Sequence, residues 1–195
     1  MTLTPADLGA RFAEVFGADR ATASVSGGNH WSRATVDVPA TLWADALRIA
    51  RDELDLDFFD WLSAVDDLDD GFQVVAHLWS TGDKHGLLLR TSVPRDGASV
   101  PSVVSVYPGA AWHERETHEM FDIDFPGHGE LKPLLLPPTF EGHPLRKDFV
   151  LASRVAKAWP GAKEPGESHD PSAAKRAPMR PPGVPAPGEW GPTGD

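Results

Sequence analysis

The chain has 195 residues, of which 41% are hydrophobic and 24% are charged, a composition typical of an ordinary globular domain. It contains no cysteine, which excludes disulfides, thiolate nucleophiles and cysteine-ligated zinc or iron–sulfur centres. The net charge of -11 argues against nucleic-acid binding, because such binding requires basic side chains that neutralise phosphates. Apolar runs are much shorter than the roughly 20 residues of a membrane span, and no secretory signal is visible. We therefore expect no membrane span and a cytoplasmic location.

The first third of the chain predicts two helices with a hairpin between them. Thr4 as N-cap and Gly17 as C-terminal stop define an amphipathic helix. Residues 21–38 are rich in β-forming side chains around a turn at residues 27–29, which predicts a two-stranded hairpin. Apolar residues at helical spacing between Pro39 and about Glu53 predict a second helix.

Three β-rich runs follow, at residues 58–65, 72–80 and 87–93, joined by connectors rich in turn residues. The carboxylates of the first connector are expected to be solvated; they are Asp66, Asp67, Asp69 and Asp70. This order of elements predicts an α+β fold with a mainly antiparallel sheet and helices on one face. A motif helix and an extended, Pro-rich C-terminal tail should follow the sheet.

The densest polar cluster spans residues 112–121 and contains His113 and His118. A helix would place these two histidines about 140° apart, whereas a helical zinc motif needs them four residues apart on one face. We therefore expect no metal site here, and we expect Arg115 to pair with neighbouring carboxylates. No phosphate-binding loop or nucleophile elbow occurs. The residues alone leave two alternatives open, a histidine- and carboxylate-dependent hydrolase and a free-standing adaptor.

Two motifs in the second half of the chain carry a family resemblance. The first is Glu114-Arg115-Glu116, continued by Ile123, Phe125, Gly127 and His128, and the second is the unbroken Gly-His-Pro-Leu-Arg-Lys-Asp-Phe of residues 142–149. Together they resemble the C subunit of NADH-quinone oxidoreductase, the 30 kDa subunit family of respiratory complex I. Four positions differ from that family's signature: Glu119 replaces aspartate, Asp122 replaces glycine, Gly129 replaces proline, and Pro133 replaces a basic residue. Asp122 is expected to adopt the left-handed conformation that the glycine would take.

The resemblance implies a non-catalytic scaffold subunit in the peripheral arm of a proton-translocating NADH-quinone oxidoreductase. Electrons would pass from NADH through iron–sulfur clusters to quinone, with flavin and clusters in partner subunits and no cofactor in this chain. Its partners would be the quinone-site D subunit and the cluster-bearing B and I subunits. It would lie peripherally at the cytoplasmic side of the cell membrane. The alternative is the equivalent subunit of a related membrane-bound hydrogenase, or of a complex I that lacks the NADH module.

Six motif residues are assigned to paired charges that fix the loop after the motif helix or contact a partner: Glu114, Arg115, Glu116, His143, Arg146 and Lys147. The division predicted is a domain at residues 1–150 and a partner-docking tail at residues 151–195. From Pro160 onward, 15 of 36 residues are proline or glycine, a composition that favours disorder in isolation. Trp159 and Trp190 would anchor this tail on a partner.

Overall fold

The computed structural model describes residues 2–150. Its helices and strands follow the order α1 (Pro5–Phe16), β1 (Thr22–Ser26), β2 (Arg33–Asp37), α2 (Trp43–Leu54), β3 (Phe58–Asp66), β4 (Phe72–Trp79), β5 (Gly86–Val93) and α3 (Ala110–Phe121). The predicted tail, including Trp159 and Trp190, lies outside the described residues. Within residues 2–150, the structure contains no helix with the length and hydrophobicity of a membrane span.

The five strands form one sheet in the order β1-β2-β5-β4-β3. Three of the four neighbouring pairs are antiparallel, and β2 and β5 run parallel at its centre. The parallel pair arises because the β1–β2 hairpin and the β3–β4–β5 meander are separate units that meet along β2 and β5. The predicted α+β fold with a mainly antiparallel sheet is confirmed.

All three helices pack on the same face of the sheet. The inner face of β4 and β5 carries Val74, Ala76 and Leu89, each with no exposed surface, and α1 adds Phe12 to this core. Burial of a valine, leucine or phenylalanine side chain stabilises a fold by roughly 1.5–3 kcal/mol. The opposite face of the sheet is open, and exposed side chains such as Trp61 lie on it.

Local signals set the helix ends. The hydroxyl of Thr4 accepts a hydrogen bond from the backbone N–H of Asp7, and Gly17 ends α1 with a φ of 113°. Asp122 ends α3 in the left-handed conformation with a φ of 61°, as expected from its position in the motif. The helix predicted from Pro39 instead begins at Trp43, because a short 3₁₀ turn at Ala40–Leu42 precedes α2.

Candidate functional site

Glu114 anchors the loop before α3 from inside the core. Its side chain is fully buried, and its carboxylate accepts hydrogen bonds from the Ser102 hydroxyl at 2.6 Å and the Val103 N–H at 2.7 Å. Burial raises the pKa of Glu114 above the usual carboxyl range, and the two hydrogen bonds only partly oppose this effect. Glu114 therefore fixes the loop to the helix within the chain and is not available to a partner.

Arg115 binds backbone carbonyls of the segment that follows α3. Its Nε donates to Lys132 O at 3.0 Å and its Nη2 donates to Pro133 O at 2.9 Å. The guanidinium also lies over the ring of Trp112, 5.4 Å from its centroid. The planar guanidinium of Arg115 thus forms its hydrogen bonds with two carbonyl oxygens, while its charge helps to lower the pKa of the neighbouring Glu119 and Glu130.

Glu119 completes the hold on the same segment. Its carboxylate accepts three backbone N–H bonds, from Leu134 at 3.1 Å, Leu135 at 2.8 Å and Leu136 at 2.9 Å. Burial alone would raise the pKa of Glu119, but these hydrogen bonds outweigh it and hold the pKa below the usual carboxyl range. The sequence assigned no role to Glu119; the available signal was its spacing of four from Arg115, which puts both side chains on one helix face.

The second motif caps the C-terminal end of α3. His143 Nδ1 lies 2.8 Å from Glu119 O, the Leu145 N–H donates to Met120 O at 3.2 Å, and Arg146 Nε donates to Phe121 O at 2.6 Å. These are carbonyls that an isolated helix leaves without partners. A guanidinium also suits this end of the helix because the helix dipole is negative there. The two motifs, separate in sequence, thus form one structure.

Arg146 and His143 also approach Asp122. Arg146 Nη2 lies 3.4 Å from its Oδ2, and His143 Nε2 lies 3.6 Å from its Oδ1. Arg146 further lies over the Phe72 ring at 5.1 Å from the centroid. Arg146 thus pairs with Asp122 at the end of the helix, whereas the His143 contact is an ion pair only when the imidazole is protonated.

Asp66 connects the second motif to the sheet. Its buried carboxylate accepts hydrogen bonds from the backbone N–H groups of Leu68 and Lys147, each at 2.8 Å, and from the guanidinium of Arg95. Burial would raise the pKa of Asp66, but these hydrogen bonds together lower it. The expectation of a solvated carboxylate was therefore wrong for Asp66. A signal was available, since Asp66 shares the inward alternation of Leu62 along β3.

The side chains of Glu116 and Lys147 point outward and are exposed, and neither forms an ion pair within residues 2–150.

The two histidines of the motif helix, His113 and His118, have separate contacts. His113 packs against the Phe59 ring at 5.6 Å, and His118 Nδ1 lies 2.9 Å from Ile123 O. Among the described residues, no group of three or more histidine, aspartate or glutamate side chains could hold a metal ion.

A cavity of about 270 Å³ opens between α3 and the segment it holds. Its apolar wall includes Leu131, Leu136 and Phe140, and its polar wall includes His118 and His143. Phe140 is also exposed to solvent, as is Leu135 in the segment that α3 holds. The arrangement can therefore present a fixed apolar surface.

The sequence relatives of this chain are respiratory proteins. Residues 36–155 match the family described as respiratory-chain NADH dehydrogenase, 30 Kd subunit. The NADH-quinone oxidoreductase C subunit of Roseiflexus castenholzii (strain DSM 13941 / HLO8) is 44% identical over 113 residues, which cover 56% of this chain and 65% of that protein. The C/D subunit of Pseudomonas fluorescens (strain SBW25) is 46% identical over 78 residues, or 40% of this chain and 13% of that protein. The chain thus spans less than two thirds of these relatives.

Two solved structures share the architecture. A chain in the structure of the membrane-bound sulfane sulfur reductase, an archaeal respiratory membrane complex, superposes with a TM-score of 0.65 and 28% identity. That match covers 84% of this chain and 96% of the other. The trypsin-resistant fragment 1–134 of Nqo5 superposes with a TM-score of 0.53 and 21% identity, covering 63% of this chain and 98% of the fragment. At that identity the second match shows the shared fold alone.

Proposed function

The chain belongs to the family of the respiratory-chain NADH dehydrogenase 30 kDa subunit, and from this we infer that it is a non-catalytic scaffold subunit of a proton-translocating NADH-quinone oxidoreductase. In this proposal it lies in the peripheral arm, at the cytoplasmic side of the cell membrane. Its partners are the quinone-site D subunit and the cluster-bearing B and I subunits. It supports electron transfer from NADH through iron–sulfur clusters to quinone while holding no cofactor itself.

The observation that carries the scaffold role is the way α3 holds residues 132–136. Arg115 donates hydrogen bonds to the carbonyls of residues 132 and 133, and Glu119, one turn later on α3, accepts hydrogen bonds from the N–H groups of residues 134–136. The backbone of five consecutive residues is thus fixed, while the Leu135 side chain remains 60% exposed. A rigid backbone that presents apolar side chains is what a docking surface needs, because little entropy is lost when the partner binds.

Affinity purification tests this proposal. A tagged chain is purified from detergent-solubilised membranes, and the co-purifying proteins are identified by mass spectrometry. We expect the quinone-site subunit and the two cluster-bearing subunits to co-purify, in a complex that reduces quinone with NADH. Recovery of the tagged chain alone, or unchanged NADH-dependent quinone reduction in membranes that lack it, would contradict the proposal.

The role of the second motif in assembly is tested by a pair of arginine variants. Arg146→Ala removes a donor to the end of α3, whereas Arg48→Ala removes one member of the exposed Arg48–Asp45 pair on α2. An exposed pair of this kind contributes only about 0–1 kcal/mol. We expect the first variant to co-purify poorly and the second to co-purify normally. If partner subunits co-purify equally well with both variants, the motif has no role in assembly.

Residues 151–195 are proposed to dock on a partner subunit through Trp159, Trp190 and their basic side chains. A chain truncated after Leu151 should therefore unfold at nearly the same temperature as the full chain but enter the membrane complex less efficiently. Calorimetry and co-purification measure the two effects separately. If truncation instead unfolds residues 1–150, the segment belongs to the core of the domain.

A second candidate function is favoured by one observation. The superposition with a chain of the sulfane sulfur reductase covers 84% of the present chain, at 28% identity. The alternative to complex I is therefore another respiratory membrane complex, and we propose a complex I that lacks the NADH module or a membrane-bound hydrogenase as that host. The same purification decides between them, because a host of this kind would co-purify without NADH-oxidising activity.

A further inference from the structure

The open face of the sheet ends in a group of three aromatic side chains. Phe58 and Trp61 lie on β3, and Trp79 lies opposite Phe58 on β4. Phe58 is 51% exposed and Trp61 is 37% exposed. Trp61 stacks on His77 with ring centroids 6.0 Å apart, and His77 lies beside Trp79 at 6.4 Å. The helices of residues 2–150 pack on the other face of the sheet, so these rings remain available to a partner.

Carboxylates surround the aromatic group. Asp57, directly before Phe58, accepts hydrogen bonds from the Thr81 N–H at 2.8 Å and the Thr81 hydroxyl at 2.6 Å, and these bonds lower its pKa. Asp60 binds His77 Nδ1 at 2.8 Å while its side chain stays 45% exposed. Asp55 and Asp57 line a hollow of about 340 Å³ at this end of the sheet. Asp57 and Asp60 are therefore held by hydrogen bonds beside the exposed rings, and Asp55 lines the same hollow as Asp57.

Lys84 is a cation close to Asp57, because its charge contributes to the lowered pKa of that carboxylate, and Arg33 lines a hollow together with Lys84 and Trp79. Two cations do not balance three carboxylates, so an excess of negative charge remains on the patch formed by Phe58, Trp61, Trp79, Asp55, Asp57 and Asp60. A ring face attracts cations through its quadrupole, most strongly when the ring is tryptophan. Arginine suits such a site better than lysine, because its planar guanidinium stacks on the ring and also binds a carboxylate through two N–H groups.

We propose that this aromatic and acidic patch on the open sheet face receives an exposed arginine side chain from a neighbouring subunit. The inference rests on the proposed function for the existence of a neighbour, but the chemistry of the patch does not depend on which complex supplies it. A second copy of this chain fits the patch poorly, because each copy carries a net charge of -11. Tryptophan and arginine are also the side chains that most often dominate the binding energy of protein interfaces.

A peptide titration of the full chain tests the chemistry directly. The probes are an acetylated, amidated Gly-Arg-Gly-Arg-Gly peptide and the same peptide with the neutral isostere citrulline. Binding is followed through the indole N–H signals of Trp61 and Trp79 in a two-dimensional NMR spectrum. We expect saturable shifts with the arginine peptide and an affinity at least fivefold weaker with citrulline. Equal shifts with both peptides, or none with arginine, would overturn the proposal.

Matched variants then locate the binding site. Asp55→Asn with Asp60→Asn removes two charges and keeps the side-chain shapes, and asparagine tolerates the left-handed conformation at position 55, where φ is 52°. Asp70→Asn, in the connector before β4, is the control. We expect the double variant to lose at least fivefold in affinity for the arginine peptide and the control to lose none. Equal effects of the two would show a general charge effect and refute the site.

The assembled complex provides the last test. Hydroxyl-radical labelling of Trp61 is compared between the free chain and the purified complex, and we expect labelling to fall at least fivefold on assembly. A chain that assembles while Trp61 keeps its full reactivity would overturn this inference and leave the scaffold function intact. A chain that never assembles would overturn the scaffold function, while the peptide titration still decides on the patch. Self-association abolished by Trp61→Ala would identify a second copy as the occupant and would also overturn the inference.

Discussion

Replacement of Glu119 by glutamine tests whether α3 holds the following segment through the carboxylate. Glutamine has nearly the same shape, but one of its terminal atoms is an NH2 group. If its oxygen keeps the Leu134 and Leu136 N–H bonds, the NH2 group faces the Leu135 N–H, where Glu119 now accepts at 2.8 Å. One charge-assisted bond is then lost and two donors face each other in a buried site.

The size of the effect follows from these contacts. A hydrogen bond to a charged group contributes about 1.5–3 kcal/mol, and a buried donor left without an acceptor costs about 1–3 kcal/mol. The two estimates overlap in part, because both count the unsatisfied Leu135 N–H. We therefore expect Glu119→Gln to lower the free energy of unfolding by about 2–4 kcal/mol in urea denaturation at pH 7.

Glu116→Gln is the matched control, because Glu116 lies on the same helix, is exposed and has no ion pair within the described residues. Its effect should stay within about 0.5 kcal/mol. The pH dependence gives a second readout. Since the pKa of Glu119 is lowered in the folded state, its stabilisation is fully present above the ordinary glutamate pKa and is lost as the pH falls through the folded value. The difference between wild type and Glu119→Gln should therefore shrink in acid. Equal unfolding free energies for the two variants at pH 7 would refute the role given to Glu119.

Three further substitutions give distinct outcomes. Arg115→Ala should cost about 1–2 kcal/mol in urea denaturation, because two carbonyls lose their donor; no loss of stability would contradict the observed bonds. Glu114→Gln should be at least as stable as wild type at pH 7, because burial raises the pKa of Glu114 and the wild-type protein loses stability as the pH rises above the pKa of the unfolded state. The stability advantage of the variant should vanish at pH 4. A large loss of stability in the variant at pH 7 would refute this reasoning. Gly86→Ala should destabilise by about 1–3 kcal/mol, because its Cβ would lie 2.7 Å from His77 Nε2. Gly82→Ala is the control, because a Cβ at this position meets no atom within 4 Å, and it should lower the unfolding temperature much less than Gly86→Ala does.

The elements of the fold were predictable where a local signal sets them. Thr4 and Gly17 define α1 by capping chemistry, and the alternation of apolar residues marks the strands. The parallel pairing of β2 with β5 had no local signal, because it joins residues more than fifty positions apart, such as Val36 and Leu89. Such a pairing depends on how two separate units pack together, which a single sequence does not express through propensity or period.

The candidate site was predictable only in part, for a similar reason. The motifs identified Arg115 and Arg146, and the structure gives both of them backbone carbonyls as partners. A backbone carbonyl is present at every residue, so no side-chain pattern can identify one as a partner. The role of Glu119 was not predicted for the same reason, because its partners are three backbone N–H groups. The carboxylate of Asp66, by contrast, could have been identified from its inward position on β3.

The use of backbone partners has a consequence for how a surface of this kind works. Arg115 and Glu119 hold residues 132–136 through carbonyl and N–H groups, so these hydrogen bonds do not depend on which side chains the segment exposes. Exposed side chains such as Leu135 can then be substituted to fit a partner while the backbone that carries them keeps its hydrogen bonds to α3. One helix can thus supply rigidity while the segment beside it supplies specificity. Under the proposed function, substitutions at Leu135 should therefore change which subunits bind, while substitutions at Glu119 should change whether the surface exists at all.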